Sequence, residues 1–179
     1  MSKEERVSDK IANYLKGSFS GDLTKLIENY EEFGGIDAFF NNAQTPKFFY
    51  EWAVQGMIYQ LLVQLLGGRV DKYILLMEQP YTATNAELRT DIMYIDVEND
   101  LIHAIELKTD FQLASVVSDM RKMIAQITAG TIKTGIMVYL VEDDEQAGEW
   151  QEAFESDRNI KAAIHAKQII PVDVLASRE

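Results

Sequence analysis

The sequence predicts an α/β fold in which a mixed central β-sheet is flanked by helices. Three observations predict it. Apolar residues recur at helical spacing through the first third of the chain and again over 113–127. Three β-like runs succeed one another between residues 73 and 108. Gly135 to Val141 is almost purely apolar, as a strand covered on both faces should be. The 179 residues, 47% of them hydrophobic, suit a single domain with a substantial core. Its expected parts are a helical extension over 1–44, a core over 45–142, and a C-terminal helix and strand over 143–179.

In order, Ser8 is placed to cap a short helix carrying Ile11 and Leu15, ended by Gly17. Leu23, Leu26, Ile27, Tyr30 and Phe33 form a second helix that Gly34-Gly35 stops, and Phe39 and Phe40 fall in a buried turn. Thr45-Pro46 reads as a cap followed by proline at the first helical position. It opens a long helix to Leu66, with Gly67-Gly68 as terminator. At ~100° per residue, Phe48, Trp52, Tyr59, Leu62, Val63 and Leu66 make its apolar stripe, widened by Ile58 and Leu65. Glu51 projects into the widened arc, where a carboxylate needs a cation or hydrogen-bond partner to offset lost water.

Beyond the glycines the period changes. Tyr73 to Met77 is a short strand stopped by Pro80. Leu88 to Val97 and Leu101 to Lys108 are two more, and Glu98-Asn99-Asp100 is the turn of a hairpin between them. Leu113, Val116, Val117, Met120, Ile124 and Ile127 define an amphipathic helix ending near Gly130. The strand Gly135 to Val141, a polar helix over Gln146 to Phe154 and a strand over Ile169 to Val174 finish the chain.

Several function classes are excluded or disfavoured. With no cysteine, disulfides, thiolate metal sites and cysteine nucleophiles are ruled out. No apolar run approaches the ~20 residues that span a bilayer. The charged start, Met1-Ser2-Lys3-Glu4-Glu5-Arg6, lacks a secretory apolar segment, so a cytoplasmic location is expected. A net charge of −12 argues against a broad basic surface that grips nucleic acid. Glu142-Asp143-Asp144-Glu145, with Glu149, Glu152, Glu155 and Asp157, reads as a solvated loop and helix face. Gly67-Gly68-Arg69 lacks the Lys and Ser/Thr of a phosphate-binding loop.

What carries chemistry is Asp91 followed, on the next strand, by Glu106-Leu107-Lys108. Side chains two apart on a strand share a face, so Glu106 and Lys108 point together, with Ile102 and Ala104 inward of them. Asp91 shares its face with Met93 and Ile95. If the hairpin pairs through its short turn, two carboxylates and an ammonium gather at the end of an otherwise hydrophobic sheet. Mg²⁺ relieves the repulsion between such carboxylates by taking oxygens from both while keeping several waters. It can also polarise a phosphoryl oxygen and acidify water. Lys108 can orient or deprotonate the attacking water, or stabilise developing charge. Glu51 could add a carboxylate and help hold a second ion. Asp119, Lys122 and Gln126, along one side of the second long helix, read as a solvated flank that could touch a DNA backbone or complete the site. His103 reads as a packed histidine.

Asp91, Glu106-Leu107-Lys108 and the preceding helical Glu51 resemble the PD-(D/E)XK nuclease superfamily, also called restriction-endonuclease-like. The resemblance runs from about Thr45 to Val141. It implies a restriction-endonuclease-like core, with Asp91 and Glu106 as ligands of Mg²⁺ or Mn²⁺, Lys108 as the catalytic lysine and Glu51 as an accessory ligand. Gln126 is similar to the polar helical residue that some exonuclease and resolvase branches set beside the site. The chain departs from the family pattern in having Thr90 where many members have proline. The implied activity is metal-dependent hydrolysis of DNA phosphodiesters, with the acidic balance confining DNA contact to a small patch or calling on a second copy or a protein partner for positive charge. The alternatives are an inactive nuclease fold serving as a binding or regulatory module, and an acidic DNA mimic.

Overall fold

The computed structural model describes residues 7–19, 21, 46–66, 72–82 and 85–175. It is α/β, with a five-stranded mixed sheet flanked by helices. The elements are α1 (Val7–Tyr14) running into a π-turn (Leu15–Phe19), α2 (Pro46–Leu65), β1 (Tyr73–Thr82), β2 (Asn85–Asp96), β3 (Leu101–Lys108), α3 (Leu113–Thr128), β4 (Thr134–Val141), α4 (Asp144–Ser156), α5 (Arg158–His165) and β5 (Ile169–Leu175).

The strands lie in sequence order, β1-β2-β3-β4-β5. β1, β2 and β3 form an antiparallel meander, and β3, β4 and β5 are parallel. The sheet therefore changes character at β3, which is antiparallel to one neighbour and parallel to the other. Alternation along the strands makes two cores. Ile92, Tyr94, Ile105, Leu107, Ile136 and Val138 face α1 and α2, while Ala104, Met137, Tyr139 and Val141 face α3, α4 and α5. Every residue of β4 is buried, as its apolar composition predicts. α3 lies so close to β4 at Gly135 that a Cβ there would collide with the sulfur of Met123.

The structure alters several sequence expectations. β1 does not stop at Pro80 but runs through it to Thr82, with Pro80 opposite Arg89. β1 is an edge strand, where the missing N–H of proline removes no necessary ladder bond. Glu78 adopts φ 52°, and the register against β2 shifts between Pro80 and Thr82, an irregularity that falls at Tyr81 itself. Leu75 packs toward α2, and Tyr81, an even number of residues on, packs toward α3. α5 was not anticipated. Asp157 caps it by accepting from the backbone N–H groups of Asn159 at 2.9 Å and Ile160 at 3.1 Å, and Ile160 and Ala163 bury its inner side. α1 starts at Val7, so Ser8 lies within it, and the π-turn carries the chain past Gly17. The helix expected from Leu23 to Phe33, and Phe39 and Phe40, lie outside the described residues.

α2 begins at Pro46 as expected but is rotated from its predicted orientation. Val54, Gln55, Ile58, Leu62 and Leu66 are its buried positions, whereas Val63 and Leu65 are exposed. Apolar residues occupy nearly every side of this helix, so its pattern alone does not choose a face; the sheet does. The Phe48 and Trp52 side chains lie outside the described residues. Among the described residues no helix is long and apolar enough to cross a membrane.

Candidate active site

The hairpin register sets the site. Ile92 and Ile105 are the last partners of the β2–β3 ladder, and Asp91, the next residue, reaches β3 through its side chain, which accepts the Leu107 backbone N–H next to Glu106, itself on the face that Ala104 turns toward α3. Lys108 follows two residues later at the end of β3, on the same face. The turn that fixes this register is held by Asp96, whose carboxylate accepts from the Asn99 backbone N–H at 3.1 Å and side-chain amide at 2.8 Å, with Asp100 at φ 53°. Beside Asp91, the Thr90 hydroxyl donates toward the carbonyls of Ile92 and Ile105, each at 3.2 Å. The residue that departs from the family's proline thus ties β2 to β3.

Each of the charged groups is held. One oxygen of Asp91 accepts the Leu107 backbone N–H at 2.6 Å. Glu106, 7% exposed, accepts a hydrogen bond from the Tyr81 hydroxyl. Lys108 reaches across to Asp119 on α3 at 2.9 Å, and the other oxygen of Asp119 meets Lys122 at 2.5 Å. From the other layer, Gln55 on α2 donates to Glu78 at 3.1 Å and to the Asp91 carbonyl at 2.8 Å. Glu51, one turn before Gln55, is half-buried and senses the charges of Lys108, Asp110, Glu78 and Asp119.

The electrostatics follow from crowding acids against a low-dielectric sheet. Burial, partly countered by the Leu107 N–H and reinforced by the charge of Glu51, pushes Asp91 up to about 7. Burial and then the charge of Asp91 push Glu106 up to about 8, against the lowering effect of the Tyr81 hydrogen bond. Burial also raises Glu51, outweighing the Lys108 ammonium. Burial drives Tyr81 upward too, so it remains a neutral donor. For Lys108 burial works against the ammonium, but the hydrogen bond and charge of Asp119 prevail, and its pKa rises. Lys108 is therefore a charged ammonium at neutral pH rather than a free amine.

Asp91 and Glu106 offer neighbouring carboxylates to a hard dication, and Glu51 approaches from α2. Among the described residues no group of three or more His, Asp or Glu side chains is gathered closely enough to hold an ion. Mg²⁺, however, commonly takes only one or two carboxylates and fills its remaining positions with water. The Asp91–Glu106 pair has that donor chemistry.

Sequence reasoning brought Asp91, Glu106, Lys108 and Glu51 into view, and these lie around the C-terminal end of β3. Gln126 is placed elsewhere, two turns beyond Asp119 along α3 and so ~10 Å further on. Its carbonyl accepts from Thr131 and Ile132 in the turn leading to β4. Asp119 corrects the solvated-flank expectation: its side chain is 5% exposed and bridges two lysines. The signal was legible, because 116, 119, 120 and 123 are one helical stripe and Asp119 interrupts it. Tyr81, Gln55 and Glu78 were missed, since the irregularity in β1 hides the face that Tyr81 takes. His103 is buried, stacked on Tyr94 with centroids 5.0 Å apart and 2.6 Å from the Thr134 hydroxyl, in the manner of a packed histidine. Glu142 to Glu145 are all exposed, a solvated face.

No protein-family model, curated protein or solved structure matches the chain.

Proposed function

We propose that the protein is a metal-dependent nuclease of the PD-(D/E)XK type that hydrolyses DNA phosphodiesters. The observation that carries this reading is the Asp91 carboxylate held on the Leu107 N–H of β3, between Glu106 and Lys108, which share one face of that strand. The helix–meander–helix–strand order from α2 to β4 is that expected of a restriction-endonuclease-like core and supports it. Asp91 and Glu106 are the residues that would hold Mg²⁺ or Mn²⁺, with Glu51 accessory. The ion would neutralise the paired carboxylates, draw in the phosphate and acidify water.

The protein's own groups have separable parts. Tyr81 fixes Glu106 by engaging one oxygen, which leaves its other oxygen for a ligand. The Leu107 N–H fixes Asp91 in the same way. Lys108, held as an ammonium, is suited to orienting the attacking water and stabilising charge on the phosphorane rather than to removing a proton. The test is nicking of supercoiled DNA with Mg²⁺: the parent protein converts it to open circle, Asp91→Ala does not, and Lys108→Ala does so only slowly. Parent-level activity in both variants overturns the mechanism.

A second reading, a nuclease fold that binds rather than cuts, is favoured by the −12 charge and the exposed acidic face over Glu142 to Glu155. Calorimetric titration with Mn²⁺ separates the two. The nuclease takes up metal at Asp91 and Glu106, whereas a DNA mimic instead associates with a basic protein in a salt-sensitive, metal-independent way.

A further inference from the structure

We propose that Asp119 is a positioning residue: from α3 it fixes the ammonium of Lys108 beside the Asp91–Glu106 pair, making that helix part of the reaction site. The inference rests on the nuclease reading. A lysine is a point charge on a flexible four-carbon stem, and a partner must select one of its rotamers to fix the ammonium. Asp119 supplies that selection. Its Oδ2 lies 2.9 Å from Lys108 Nζ, across the gap between two elements.

The carboxylate is itself buried and paired at both oxygens. Its side chain is 5% exposed among Val116, Met120 and Met123, and Oδ1 is engaged 2.5 Å away by Lys122, one turn along the same helix. The order of constraint is therefore Lys122 to Asp119 to Lys108. Glu51 and Asp91 also act on the ammonium, through their charges.

A role confined to stability explains the arrangement poorly. Position 119 belongs to the buried stripe of α3, where an apolar residue would continue the packing of its neighbours at least as favourably as a buried ion pair does. The helix gives up that position to a group whose Oδ2 meets the site lysine at 2.9 Å. Groups that act as a unit show this in kinetics, because removing the second member costs nothing once the first is gone.

The experiment measures kcat and KM for Mg²⁺-dependent nicking of supercoiled DNA by the parent, Asp119→Asn, Asp119→Glu, Lys108→Ala and the double variant Lys108→Ala/Asp119→Asn. Urea unfolding of each variant establishes that it is folded. Asp119→Asn should lower kcat on the order of 10²-fold, as misplacement of a reacting group does, with KM nearly unchanged. Asp119→Glu should recover part of the loss, and in the Lys108→Ala background Asp119→Asn should cost nothing more. If Asp119→Asn does not fold, Asp119→Glu takes its place in the same cycle, lowering kcat in the parent and not in the Lys108→Ala background. An active parent in which the position 119 change is silent, or costs as much without Lys108 as with it, overturns the positioning role and leaves the nuclease reading standing. An inactive parent overturns both.

Discussion

The two halves of the sheet do opposite things. In the parallel half, β4 is buried from end to end and apolar beyond Thr134, and Val172 and Val174 of β5 are as deeply enclosed. In the antiparallel half, the same layered architecture carries Asp91 and Glu106 at a place where burial holds both carboxyls well above their ordinary range. One half converts apolar area into stability, at ~25 cal/mol per Å² removed from water. The other gives stability up, because an acid forced toward its protonated form is an acid in the wrong surroundings unless something positive joins it. The division falls at β3. Its alternate residues Ile105 and Leu107 belong to the core against α2, while Glu106 and Lys108 on its other face belong to the site.

If this division is correct, substitutions in the two halves should separate activity from stability. The largest effect expected is on catalysis. Asp91→Ala should reduce metal-dependent nicking on the order of 10³-fold or more, ~4 kcal/mol on the barrier, with urea unfolding showing no loss of stability. Unfolding of that variant at much lower urea would mean the antiparallel half is structural after all. In the parallel half Ile136→Ala should do the reverse, costing about 3 kcal/mol in urea unfolding through the cavity it leaves, with kcat preserved wherever the variant is folded.

A third comparison uses pH. Asp91 and Glu106 have folded pKa values of about 7 and about 8, above ordinary carboxylate values. Between those ranges the folded state binds more protons than the unfolded one. Their contribution to stability is thus fully present below about pH 4 and is lost as pH rises through 7 to 8. In EDTA, Tm should fall between pH 5 and 8.5, and Glu106→Gln should flatten that fall and gain on the order of 2 kcal/mol at pH 8. Mg²⁺ should restore the parent at pH 8 and do little for the variant. An identical pH profile for parent and variant would remove the strain from the antiparallel half. The smallest effect concerns neither half. Asp143 caps α4 through the Gln146 N–H at 2.7 Å, and Asp143→Ala should cost about 1 kcal/mol in urea unfolding with nicking intact.

How much of this was legible depends on the range of the interaction that fixes each feature. β3 was read to its observed ends and α3 within two residues at its end, because alternation and the 3.6-residue period are local. Pro80 misled because whether proline breaks a strand depends on the neighbour it would bond, and β1 has none on its outer side. α2 was found but misoriented, since a helix apolar on most sides carries no local mark of its buried face. The hairpin made Asp91 and Glu106 visible as partners across a single turn. Tyr81 and Asp119, from an edge strand and a crossover helix, were not visible as partners of Glu106 and Lys108.

By itself, then, the sequence determined the alternation of helices and strands, the acids and the lysine of one hairpin, and the absence of cysteine chemistry, all of them matters of neighbouring residues. Tertiary structure alone decided what surrounds those groups. Tyr81 meets Glu106 where the register of β1 shifts between Pro80 and Thr82, the rotation of α2 sets Gln55 against Glu78 and Asp91, and the docking of α3 on β4 brings Asp119 to Lys108. The physical reason is that hydrogen bonds and ion pairs act between side chains only once packing has brought their elements within about 3 Å, and no local period encodes that approach.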